Sequence, residues 1–131
     1  MSHSPICPWP TPGSDEIDIV ESKNGDPQHP FLTNHYGSVP GEDQYVSCGQ
    51  EDFSVSDTTM NWHTYAIDWY PGIITWYIDG VQLCQSTVGV PSQPMFLLME
   101  ATGGADGEIT GLPSSMYIES VKIWSPNVVN N

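Results

Sequence analysis

Apolar and polar positions alternate with the two-residue period of β-strands most clearly at 62–70 and 116–124. Few windows favour helix, because Gly, Pro, Thr, Ser and β-branched residues interrupt every stretch. Residues 1–14 are rich in Pro and Ser and read as loop. Residues 16–22 read as an acidic, Ile/Val-rich strand. A turn region follows at 23–30, holding Asn24-Gly25 and two prolines. A short strand is expected at 31–36, a loop at 37–43, another strand at 44–48 and a polar, irregular stretch at 49–60. Residues 62–70 alternate clearly, and 73–78 follow after Pro71-Gly72. Asp79-Gly80 then lies between two apolar runs, the strongest short hairpin signal, with 81–86 as the return strand. Residues 95–101 form a continuous apolar run, expected to be central or buried on both faces. Residues 103–115 read as a Gly-rich loop and 116–124 as a closing, alternating strand. No internal repeat is visible. Short strands separated by turn signals predict an all-β sandwich or jelly roll, with Trp69, Trp76 and Trp124 in its core.

The length of 131 residues points to one domain, or part of one, over 1–131. Such a chain buries roughly two-thirds of its unfolded surface. Its charge is the unusual number: 16 acids against Lys23 and Lys122, net −14. That balance repels phosphate backbones and anionic lipid, so neither nucleic acid nor membrane is an expected partner. A neutral polysaccharide is compatible. No apolar run is long enough to span a membrane, and residues 1–14 lack the charged and apolar regions of a signal peptide. The three cysteines, Cys7, Cys48 and Cys84, fit no zinc spacing. Cys48 and Cys84 can pair if their strands are neighbours, which suits a secreted protein. Buried free thiols are the alternative.

The candidate chemistry lies in Glu16-Ile17-Asp18-Ile19-Val20-Glu21. Regular alternation puts Glu16 and Asp18 on one face and Ile17 and Ile19 on the other. Strict alternation then sends Glu21 into the core, where a lone carboxylate is costly. A β-bulge near Ile19 or Val20 returns Glu21 to the face of the other two acids. Glu16 and Glu21 are then about four strand steps apart, ~13 Å between Cα atoms. Converging side chains can close that gap to the ~5–5.5 Å used by retaining glycosidases. Three like charges so close cannot all ionise freely, so at least one pKa is expected to rise. One raised carboxyl beside one ordinary carboxyl is the division of labour between general acid and nucleophile. The competing reading is a solvated acidic strand in a very acidic protein.

These six residues resemble the E-x-D-x-x-E signature of glycoside hydrolase family 16, the family of laminarinases and related β-glucanases. Trp9-Pro10, Asn34-His35-Tyr36-Gly37, the stretches from Trp62 to Trp69 and from Ile74 to Gly80, and the stretch from Met116 to Trp124 resemble the family in the same order. The resemblance implies a concanavalin-like jelly-roll β-sandwich with a concave sugar-binding cleft, and a retaining mechanism. It implies Glu16 as nucleophile, Asp18 as assisting acid and Glu21 as acid/base. It places Trp9 at a sugar-stacking position and His63 beside the catalytic centre. His35 is a further cleft candidate. The extra residue in the motif resembles the bulged, laminarinase-like branch.

Two departures accompany the resemblance. The family has a long run of strands before the motif, and here the motif begins almost at once. An incomplete sandwich, the C-terminal portion of the domain, is therefore expected, with an unpaired edge or an exposed apolar face. The family also often carries a structural calcium, but its first strands are absent here and Glu119 stands near where an Asp is usual. No metal site and no cofactor are expected. The implied function is an endo-acting β-glucan hydrolase, extracellular, with its export signal outside this chain. The alternatives are a non-catalytic relative that binds β-glucan weakly, and a transglycosylase, which uses the same residues.

Overall fold

A computed structural model of the chain describes residues 15–23, 25–39, 42–49, 52–101 and 114–125. Trp9, Cys7 and the Gly103-Gly104 turn lie outside them. The all-β expectation holds: the described residues contain no helix and form two antiparallel sheets. The chain divides into two units, Met1–Pro94 and Met95–Asn131.

The first unit contains both sheets. Strands β1 (Glu16–Glu21), β2 (Phe31–Val39) and β3 (Glu42–Cys48) form one, in that order. Strands β4 (Tyr65–Tyr70), β5 (Ile73–Ile78) and β6 (Val81–Ser86) form the other. Both are simple meanders, as the closely spaced turn signals require. Asp79 and Gly80 join β5 to β6 with φ of 53° and 78°. Two successive positive φ values match the twist of the flanking strands, which explains the Asp-Gly pair. Gly72, at φ 82°, completes the β4–β5 turn behind Pro71.

Apolar side chains of both sheets share one core. Leu32 of β2 packs with Ile74, Trp76, Ile78 and Cys84, and Ile17, Val20, Cys48, Ile67 and Trp69 surround them. Trp76 is fully buried, and its indole Nε1 donates to the Asp18 carbonyl at 2.9 Å. A disulfide between Cys48 and Cys84, with Cα atoms 6.1 Å apart, ties β3 to β6. The pairing left open by the sequence is thereby decided. In β6 one extra residue lies between the pairs Trp76–Cys84 and Tyr77–Gln82. That bulge at Leu83 returns Cys84 to the inner face, opposite Trp76. Among the described residues, β1, β3, β4 and β6 each have a strand on one side only.

Three expectations need correction. Two strands have other bounds than read: β2 runs on to Val39, and β4 starts at Tyr65, leaving Trp62 exposed. The second unit carries no strand: residues 95–101 and 114–125 are extended without a ladder. Its apolar run is exposed and not central, with Phe96 86% and Leu98 61% accessible. Trp124, read as core, is 79% accessible. Periodicity reports which side chains prefer burial. It does not supply the neighbouring strand against which they are buried.

Candidate active site

The site is built on the outer face of the β1–β2–β3 sheet. Glu16 pairs with His35, Ile17 with Asn34 and Asp18 with Thr33. After Asp18 the register slips by one residue, so that Glu21 pairs with Phe31. Ile19 and Val20 of β1 therefore oppose Leu32 of β2 alone, which is the bulge that alternation required. Its effect is visible in the packing. Ile17 and Val20 reach the core, while Glu16, Asp18 and Glu21 stay out of it.

The pairing extends into β3. His35 lies opposite Tyr45, and Thr33 opposite Ser47. Two rows result: Glu16, His35 and Tyr45 in one, Asp18, Thr33 and Ser47 in the next. His35 leans across the rows, its Nε2 3.2 Å from Asp18 Oδ2, with about a fifth of each side chain exposed. Its ring lies 5.8 Å from that of Tyr45, tilted by 43°. Thr33 and Ser47 share a hydrogen bond of 2.9 Å. Behind this face, buried Asn34 donates to the carbonyls of Val88 and Gly89 at 2.9 and 3.1 Å, fixing β2 to the loop after β6.

A hollow of about 250 Å³ opens beside the acids, lined by Glu21, His35, Thr33, Ser47, Tyr45, Phe31 and Lys23. The Lys23 ammonium sits 4.7 Å over the Phe31 ring. Rings and hydroxyls together suit a sugar, which has apolar ring faces and polar edges.

Glu16 is half-buried. Burial holds its carboxyl above the ordinary range, helped by the Asp18 charge, a hydrogen bond with Asp18 and the Glu21 charge. The His35 charge pulls it back down. A raised carboxyl is what crowding of acids predicts. It falls, however, on the residue that the resemblance makes the nucleophile, because Glu16 lies nearer the sheet interior and Glu21 near the exposed end of the strand.

The structure thus brings together Glu16, Asp18, Glu21 and His35. It does not bring His63 to them. His63 is buried in the hairpin region, its Nδ1 2.7 Å from Asp79 Oδ2 and its Nε2 3.2 Å from Ser56 Oγ. Asp79 also accepts from the Thr64 backbone N–H at 2.9 Å. Those bonds hold the Asp79-Gly80 turn and pull the Asp79 carboxyl below its usual range. His63 has a structural position there. Tyr45, Thr33, Ser47, Phe31 and Lys23 were not singled out in the sequence. Only the register of β2 against β3 sets the first three in line with the acids. Among the described residues no group of three His, Cys, Asp or Glu is placed to hold a metal ion.

The pattern of glycosyl hydrolases family 16 matches residues 6–117, most of the chain, and the chain belongs to that family. It is similar to the "Beta-glucanase" of Paenibacillus macerans, 36% identical over 90 residues that span 69% of this chain and 35% of that one. It is similar to the "Beta-glucanase" of Bacillus licheniformis, 33% identical over 100 residues, 73% of this chain and 37% of that one. It is also similar to the "Glucan endo-1,3-beta-glucosidase" of Cryptopygus antarcticus, 37% identical over 71 residues, 54% of this chain and 25% of that one. The chain spans about a third of the length of the first two relatives.

Proposed function

We propose that the chain is an endo-acting β-glucan hydrolase that retains anomeric configuration by double displacement. Its substrate is β-1,3-glucan or mixed-linkage β-1,3-1,4-glucan. The observation that carries this reading is the bulge in β1, which returns Glu21 to the face of Glu16 and Asp18. Two carboxyls on one face, close to a hollow lined with rings and hydroxyls, are the parts such a reaction needs. The names of the relatives point to the same substrate class.

In the first step Glu21 donates its proton to the glycosidic oxygen, and a Glu16 oxygen forms a bond to the anomeric carbon as the leaving sugar departs. In the second, Glu21 takes a proton from water, whose oxygen attacks the anomeric carbon and releases Glu16. Asp18 hydrogen-bonds Glu16 and keeps it aimed. Trp9 supplies a stacking surface in the same scheme. The high Glu16 carboxyl favours a second assignment, in which Glu16 is the acid and Glu21 the nucleophile. The Cys48–Cys84 disulfide supports an extracellular setting, and the net charge of −14 supports an uncharged polysaccharide over a polyanion.

The test is to incubate the purified, folded chain with laminarin and lichenin and to assay reducing ends. Release from at least one of them, with oligosaccharides among the early products, is expected. A folded chain that releases none from either would overturn the reading. Transfer of glucosyl units to added oligosaccharide without net release would identify a transglycosylase instead.

A further inference from the structure

We propose that His35 is a positioning residue whose imidazolium form holds Asp18 and Glu16 in the arrangement from which Glu16 reacts, and so sets the acid limit of the reaction. The proposal rests on the hydrolytic reading above and deepens it. Its basis is geometric. His35 is the ladder partner of Glu16, yet its Nε2 reaches diagonally to Asp18 Oδ2 at 3.2 Å. The ring thus contacts Asp18 directly and stands across the ladder from Glu16. Tyr45 packs against the ring from β3 and holds its tilt.

The surrounding charges give that contact a consequence. From β1, Glu16, Asp18 and Glu21 face this region, and Lys23 follows just after the strand. From β3 the titratable neighbour is Tyr45. The entire chain has two Lys and no Arg. Lys23 lines the Glu21 end of the hollow, over Phe31. At the Asp18 end, among the described residues, His35 can carry positive charge. A histidine does so only on the acidic side of neutrality, which is where a crowded nucleophile is in danger of protonation. The carboxylates that surround His35 favour its charged form. As imidazolium the ring donates from Nε2, so Asp18 keeps one oxygen engaged with His35 and the other available to Glu16.

The experiment uses the full chain with His35→Gln, which keeps an N–H donor and removes the charge, and His35→Phe, which removes both. Two quantities are read: the pH profile of kcat/KM on laminarin, and the Glu16 carboxyl titration by carbon NMR. In His35→Gln the acid limb and the Glu16 midpoint are expected to move up together, by about half a pH unit or more. His35→Phe should shift likewise and also lose its plateau. A fall in plateau with the acid limb and Glu16 midpoint unmoved would reduce His35 to a substrate or packing contact and overturn the proposal. If His35→Gln does not fold, Asp18→Asn is read instead, with the His35 ring titration as readout; a midpoint that does not fall overturns the proposal. If the folded parent cleaves no β-glucan, the hydrolytic reading fails by itself. The Glu16 titration then still decides whether His35 controls that carboxyl.

Discussion

Half-buried beside Asp18 and near Glu21, the Glu16 carboxyl holds its proton more tightly in the folded chain than in the unfolded one. Its folded pKa lies above its unfolded pKa, so ionised Glu16 penalises folding at neutral pH. That penalty shrinks as pH falls through the folded value and is gone below the unfolded one. Glu16→Gln is therefore expected to raise Tm by a few degrees at pH 7, while abolishing glucan hydrolysis. The gap should close below about pH 4.5, the ordinary value for this carboxyl. Thermal melts followed by circular dichroism at pH 7 and pH 4 check this. A variant less stable than the parent at pH 7 would show that Glu16 is held by favourable contacts, not crowded by unfavourable ones. Gains of this kind mark residues kept for chemistry at a cost in stability. The crowding was legible in the sequence, because three acids within six residues of strand are crowded under any register. Which of the three rises was not legible, since that depends on how deep each sits beneath its neighbours.

At the scale of the element, β1 is anchored from behind. The Trp76 indole reaches across the core to the Asp18 carbonyl, immediately before the bulge. A bulged strand leaves ladder groups without their usual partner, and the indole N–H supplies one from the opposite sheet. Trp76→Phe keeps most of the buried ring and removes that donor. It should cost roughly 1–3 kcal/mol, the penalty for a buried acceptor left unmade, read as a lower urea midpoint at unchanged slope. Hydrolysis should fall further than stability alone explains, because Asp18 and Glu21 lose their fixed separation. Full stability and activity in Trp76→Phe would contradict this role. The bulge itself was legible, since Glu21 had to be kept out of the core. So was the β5–β6 hairpin, because Asp79-Gly80 is a local signal. The anchor was not: nothing in the spacing of Asp18 and Trp76 links residues 58 positions apart. Residues 95–101 and 116–124 failed for a related reason, because a strand needs a neighbour and alternation does not name one.

For the molecule as a whole, the sheets are held together by a modest core and one cross-link. Cys48 and Cys84 are 36 residues apart, and closing such a loop removes unfolded-state entropy worth about 3–4 kcal/mol. That is a large share of the stability of an ordinary domain. Reduction with dithiothreitol, or Cys84→Ala, should therefore lower the urea midpoint markedly and take the hydrolytic activity with it at moderate urea. An unchanged midpoint after verified reduction would mean that core packing alone joins the sheets. Activity itself turns on one claim, that the β1 face makes a covalent bond to sugar at Glu16. The most direct measurement traps that bond. The folded chain is incubated with a 2-deoxy-2-fluoro laminaribioside bearing a dinitrophenyl leaving group, then digested, and the labelled peptide is sequenced by mass spectrometry. A good leaving group needs no proton from Glu21, and the fluorine slows release, so the glycosyl group should accumulate. The account predicts a single label on Glu16. A label on Glu21 would reverse the two roles, and a folded chain that takes up no label on either glutamate would contradict the covalent mechanism.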